Sequence, residues 1–229
     1  MSAACSSAVA MQRERLAQQA SPMDLEQLLD ESDALAGELL SLADMPPCND
    51  SQRVEVASIA CSLAFEHWHA IRLMLRGGLL PSALVVHRSQ FEALLRSVWL
   101  TYAASDSDVA RLSTGLDLET EQAAKNVAQA QAMMEALAKS GPKEAHAGLS
   151  RFKDHSWKAL NSYAHAGIHP LRRHADGYPV DLVCGVLRNA NGLGCMSGMQ
   201  AVVLGGAQPL QREVLGLAAR HLSCMPPPL

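Results

Sequence analysis

The sequence predicts an all-α protein, a helical bundle of six or seven helices with a long antiparallel central hairpin. Apolar residues recur three and four apart between Pro and Gly stops, the period of helices with one buried face. Aromatic residues make up only 4% of the 229 positions, while Ala, Leu and Met abound, which favours helix over sheet. No stretch alternates apolar and polar residues as a half-buried strand would. With 48% hydrophobic and 18% charged residues, the chain can build a substantial core, which excludes a disordered chain or a disulfide-stapled miniprotein. The net charge of −4 gives no overall basic field that would draw the protein to nucleic acid or anionic lipid.

The elements follow in order. Residues 1–20 are small and polar and are expected to be a loose N-terminal segment; 21–225 are expected to form a single helical-bundle domain. Ser21-Pro22 opens the first helix, with Ser as N-cap, Pro at the first helical position and Asp24 and Glu26 in the first turn. Met45-Pro46-Pro47 stops it. This stretch carries eight acids between Ser21 and Asp50 and no Lys or Arg, expected to be a solvated helix face rather than a partner site. Asp50-Ser51 opens the second helix, which runs to Gly77-Gly78, and Leu80-Pro81-Ser82 opens the third, which runs to about Ala103. So short a Gly-Gly connection makes these two an antiparallel pair. Ser105-Asp106-Ser107-Asp108 caps a fourth, weakly periodic helix from Val109 to about Lys139, ended by Gly141-Pro142. The fifth runs from Lys143 to about Ala164. A Gly/Pro/His-rich loop is expected from His165 to Pro179, then a small-residue helix from Val180 to Leu204 and a last helix from Leu210 to Leu222.

The six cysteines form no C-x-x-C pair, and Cys61, Cys184 and Cys195 fall in apolar helical pattern, as small buried hydrophobes do. The N-terminus lacks the basic start of a secretory signal. The apolar stretch Gly192 to Ala207 is too short and Gly-rich for a bilayer core of about 30 Å. A cytoplasmic protein with reduced thiols and no membrane partner is the expectation.

Two polar constellations stand out. Arg88, Glu92 and Arg96 lie at i, i+4 and i+8 on the third helix and so share one stripe. In an enclosed helix they are either a salt-bridge ladder that fixes register or an anion site in which Glu92 orients two guanidinium groups. On the fifth helix, Asn161 and His165 lie one turn apart on one face, and Lys158 precedes them by nearly a turn. From Arg151 to Arg173 there are five Lys or Arg against the single acid Asp154, a locally basic stretch in an acidic chain. His165 and His169 have the spacing of a metal pair, but Pro170 disfavours helix at His169 and no H-E-x-x-H accompanies them, so no metal is expected. His165 is otherwise a structural helix-end histidine or a general acid/base. Gly194 and Gly198 permit close helix approach, within the bundle or across a dimer axis. No Walker-A loop, dinucleotide fingerprint or G-x-S-x-G elbow is present, and no cofactor is expected.

The R-x-x-x-E helix (Arg88 to Glu92) and the later helix ending N-x-x-x-H (Asn161 to His165) in an all-α chain resemble the HEPN-like superfamily, near bacterial helical families of unknown function. Active members of that superfamily are metal-independent endoribonucleases, usually dimers, with an R-N-x-x-x-H motif. Leu160 stands here where that motif has Arg. The resemblance implies RNA or a nucleotide-like phosphate ligand in a cleft between the third and fifth helices, and a homodimer. It implies His165 as acid/base and Asn161 bonding ligand or histidine. Arg88 and Arg96 would contact phosphate, oriented by Glu92, with Tyr163 and His169 completing the ligand-binding set. The alternative is a non-catalytic helical module that works by self-association or through a protein partner, its charged stripe serving as internal scaffolding.

Overall fold

The computed structural model describes residues 25–115 and 127–227. Among them are nine α-helices, two 3₁₀ turns and no strand: α1 (Leu25–Ala43), α2 (Gln52–Arg76), α3 (Leu80–Tyr102), α4 (Asp106–Ser113), α5 (Ala130–Ser140), α6 (Lys143–Ala164), α7 (Ile168–Asp176), α8 (Val180–Leu204) and α9 (Gln211–Arg220). The all-α class is as expected, and the helix count is higher. The expected opening of the first helix at Ser21-Pro22 lies outside the described residues.

Local chemistry accounts for most boundaries. The Ser51 hydroxyl accepts from the Val54 N–H to start α2, and Ser105 does the same for Asp108 at the start of α4, each satisfying an N–H that the helix itself cannot. The α2–α3 turn passes through Gly78 at φ +71°, a left-handed conformation open to Gly without steric cost. Two departures explain the extra helices. The helix expected from Val109 to Lys139 is two, α4 and α5, and the chain between them includes residues outside the description. The expected loop from His165 to Pro179 contains α7. There Pro170 occupies the third position of the helix, where its missing N–H had no intrahelical partner to lose, so the expectation that Pro170 keeps His169 out of helix is corrected.

The core has two parts. Phe91, Leu94, Leu95 and Val98 of α3 meet Met133 of α5 and Leu149 and Leu160 of α6 in one. Leu28 and Leu39 of α1, Trp68 and Ile71 of α2, Leu187 of α8 and Val214 of α9 form the other. The G-x-x-x-G spacing works within the bundle. A Cβ on Gly194 would lie 2.6 Å from the Trp68 ring, and one on Gly198 2.6 Å from Leu39, so α8 approaches α2 and α1 as only Gly allows. Asn191 ties the same region together, accepting from Trp68 Nε1 at 3.0 Å and donating to Ser32 Oγ and the Cys224 carbonyl at 2.8 Å.

The acidic stretch of α1 is not simply a solvated face. Arg72 Nε donates to Asp33 at 2.7 Å, Arg76 engages Glu26, Asp30 and Asp33, and Arg220 and His221 engage Glu38. These pairs clamp α1 onto α2 and the C-terminal segment. Cys61, Cys184 and Cys195 are buried as expected, as is Cys224, and burial pushes the Cys61 and Cys195 thiols up to about 12. No helix among the described residues is long and apolar enough to cross a membrane.

Candidate functional site: the α3–α6 cleft

Helical geometry sets Trp157 and Asn161 of α6 and its C-cap His165 in one row, because they stand four apart. The row faces the Arg88–Glu92 end of the α3 stripe. Phe91, from the neighbouring face of α3, stacks on Phe152 at 4.9 Å and meets the edge of Trp157 at 5.7 Å, which fixes the indole. The guanidinium carbon of Arg88 lies 4.8 Å from the Trp157 ring centroid, within cation–π range. Arg88 Nε and Nη2 donate to the same oxygen of Glu92 at 3.3 and 3.2 Å. Its remaining nitrogen, Nη1, lies 3.5 Å from His165 Nε2. The cleft is half-open: the Arg88 side chain is 20% exposed and that of Glu92 38%, and His165 is exposed.

His165 is placed by the end of α6. Its N–H caps the helix on the Asn161 and Tyr163 carbonyls. Ala166 then turns left-handed at φ +50°, Gly167 N donates to the Ser162 carbonyl at 2.7 Å, and His169 N donates to Ser162 Oγ at 3.1 Å. The break puts His165 and His169 on different helices, so their sequence spacing does not make them a ligand pair. Among the described residues no three His, Cys, Asp or Glu side chains cluster as a metal would require.

The expected site residues therefore separate into groups. Arg88, Glu92 and His165 come together. Asn161 is half-buried in the same row, and its side chain makes no hydrogen bond among the described residues. Arg96 goes elsewhere: Nη2 reaches the Ala128 carbonyl before α5 at 3.4 Å, and Nη1 is buried with no partner among the described residues. Burial lowers its pKa against the opposing charge of Glu92. Tyr163 is buried with its ring 6.4 Å from that of His169; burial, helped by Tyr178, pushes its phenol up to about 12. Neither forms a hydrogen bond or ion pair with Arg88, Glu92 or Arg96.

Sequence reasoning misses Trp157, although its place four residues before Asn161 signals the shared row. His87, next to Arg88, gave no such signal. It is 1% exposed, meets Phe152 edge-on at 5.0 Å and has Nδ1 3.0 Å from Gln90 Oε1, while Nε2 has no partner among the described residues. Burial pushes it down to about 4, so it is neutral at pH 7.

The chemistry of the cleft follows from its donors. A neutral His165 accepts from Arg88 only with its proton on Nδ1. An anion entering between the two can receive a guanidinium N–H directly, and an imidazole N–H from the tautomer that carries its proton on Nε2. Glu92 holds the guanidinium plane against the indole and leaves Nη1 toward His165.

A model described as a family of unknown function (DUF6988) matches residues 61–227. That span holds α3 and α6 whole, and the chain belongs to this family. No curated protein and no solved structure matches. Nothing in the family match links the chain to the HEPN-like superfamily.

Proposed function

We propose that this member of the family binds a phosphate-bearing ligand, RNA in the first instance, in the cleft between α3 and α6, with Arg88 and His165 on the phosphate. The observation that carries the reading is the 3.5 Å approach of Arg88 Nη1 to His165 Nε2 at a half-open surface. Other arginines close their contacts on carboxylates or carbonyls: Arg72 on Asp33, Arg76 on Asp30 and Asp33, Arg53 on Asp106 and the Leu100 and Ala104 carbonyls. Arg72 also meets an exposed imidazole, that of His69 at 3.2 Å, but its side chain is only 6% exposed and His69 lies on the same helix; Arg88 meets His165 across two elements at a more open surface, an arrangement suited to sharing an anion. Lys158 and the α7 arginines Arg172 and Arg173 extend positive charge along the chain on either side of His165, as a polyanion rather than a lone phosphate would use.

Catalysis is the next step of the same reading. His165 is the acid/base, Asn161 bonds ligand or imidazole, and Arg88 stands in for the motif arginine that Leu160 replaces. A positioned cation is worth about a hundredfold or more in such chemistry. The resemblance adds a homodimer, which sedimentation of the purified chain checks. The scaffold reading has one observation of its own, Arg96, whose guanidinium is largely enclosed against the start of α5.

The test is binding of a labelled single-stranded RNA by fluorescence anisotropy at low salt. Arg88→Ala is expected to weaken binding by about tenfold or more, the worth of a charge-assisted hydrogen bond, and His165→Ala by several-fold. Cleavage in EDTA that is lost in His165→Ala would support the enzyme. Wild-type protein that binds neither RNA nor a nucleoside monophosphate overturns the reading.

A further inference from the structure

A groove of about 540 Å³ opens between the end of α1, the middle of α2 and the end of α8, and none of its lining residues belongs to the α3–α6 cleft. Its volume is in the range of small-molecule sites, about 300–1,000 Å³. Leu40, Met45, Cys61, Phe65 and Ala201 give it apolar walls. Two features set the charge it accepts. The C-termini of α1 and α8 both line it, through Ala43 and Leu204, and neither helix has a basic residue in its last turn. Each helix end carries about half a negative charge. Asp44 adds a full carboxylate at the rim, exposed and without an ionic or hydrogen-bonding partner among the described residues. No lining residue is basic.

A second, independent observation lies in the wall. Ser58 lines the groove, and its Oγ is buried with no hydrogen-bond partner among the described residues. Five helical hydroxyls turn back to the carbonyl four residues earlier: Ser32 to Leu28, Ser41 to Gly37, Thr101 to Ser97, Ser113 to Val109 and Ser197 to Leu193. Ser58 does not, and a buried polar atom without a partner is costly unless a ligand or water satisfies it.

We propose that this groove is a binding site for a small amphipathic amine, its ammonium paired with Asp44 and, once the Ser58 hydroxyl turns out of the wall, hydrogen-bonded to it, with its apolar body lying along Leu40, Met45 and Phe65. The apolar walls exclude a small hydrophilic amine, and the two helix ends and Asp44 exclude a carboxylate of the same length.

The test uses the full chain and n-octylamine, 1-octanol and octanoate, three probes of one chain length that differ in head-group charge, with binding followed by calorimetry and by backbone amide shifts. Octylamine is expected to bind saturably, with shifts centred on Ser58, Ser62 and Phe65, and at least tenfold more tightly than octanoate. Asp44→Asn is expected to cost about tenfold and Ser58→Ala several-fold for octylamine, with octanol unchanged by Asp44→Asn. Both substitutions leave the core side chains in place, and circular dichroism confirms the fold. Equal binding of the three probes, shifts remote from α2, or octylamine affinity indifferent to Asp44→Asn would overturn the proposal.

Discussion

His87 shows how one buried ring shapes the response of the whole protein to acid. Its folded pKa, about 4, lies below the ordinary value near 6.5, so between those values the unfolded chain binds a proton that the folded chain refuses. Stability from this group is therefore full above pH 6.5, falls as pH drops, and is lost by about pH 4, at a cost of at most about 3 kcal/mol. Burial lowers His67 in the same direction, whereas Asp33, whose burial is outweighed by its bonds from Arg72 and Arg76, is held below 3.8 and titrates outside this window. Urea denaturation at pH 7 and pH 4.5 should show a large loss for wild type and a smaller one for His87→Gln; equal losses would remove His87 as the cause. Gly194 makes the steric counterpart. A methyl group there meets the Trp68 ring at 2.6 Å, and overpacking of this kind costs about 1–3 kcal/mol, so Gly194→Ala is expected to lower the melting temperature even though Ala favours helix.

Helices differ in what holds them, and that decides which could be read in advance. The Ser51 and Ser105 caps and the Gly77-Gly78 turn are local chemistry, and the sequence displays them directly. Nothing in α7 is buried; it rests on the left-handed Ala166 and on Ser162, seven residues before the backbone N–H it accepts from, and a Gly/Pro/His-rich composition conceals such an arrangement. The acids of α1 looked like a solvated face because their partners, Arg72, Arg76 and Arg220, lie 39 or more residues away in sequence. Arg72 is the buried member of that clamp, and its guanidinium lies 4.7 Å from the Trp68 centroid. Arg72→Ala is expected to destabilise by about 1–3 kcal/mol, chiefly through the gap it opens beside Trp68, since Asp33 at 47% exposure returns to water. A melting temperature within a degree of wild type would contradict a clamp.

Across the whole molecule, the charges divide into those that hold the bundle together and those left facing solvent. The stripe Arg88–Glu92–Arg96 was legible as a unit from its spacing, as was the Asn161–His165 pair. The different fates of its two arginines were not, because they depend on which partner helix lies opposite each turn of α3: α6 opposite Arg88, the start of α5 opposite Arg96. That division is measurable. Arg88→Ala should cost less than about 1 kcal/mol, as a half-exposed pair does, while Arg96→Ala, which empties an enclosed position, should cost more. The most direct test follows the imidazole resonances of His165 by NMR while a single-stranded RNA hexamer is titrated in at low salt. The cleft described here requires a saturable shift of that ring which Arg88→Ala abolishes. RNA that binds while the His165 resonances stay still, or that moves them equally without Arg88, would contradict it.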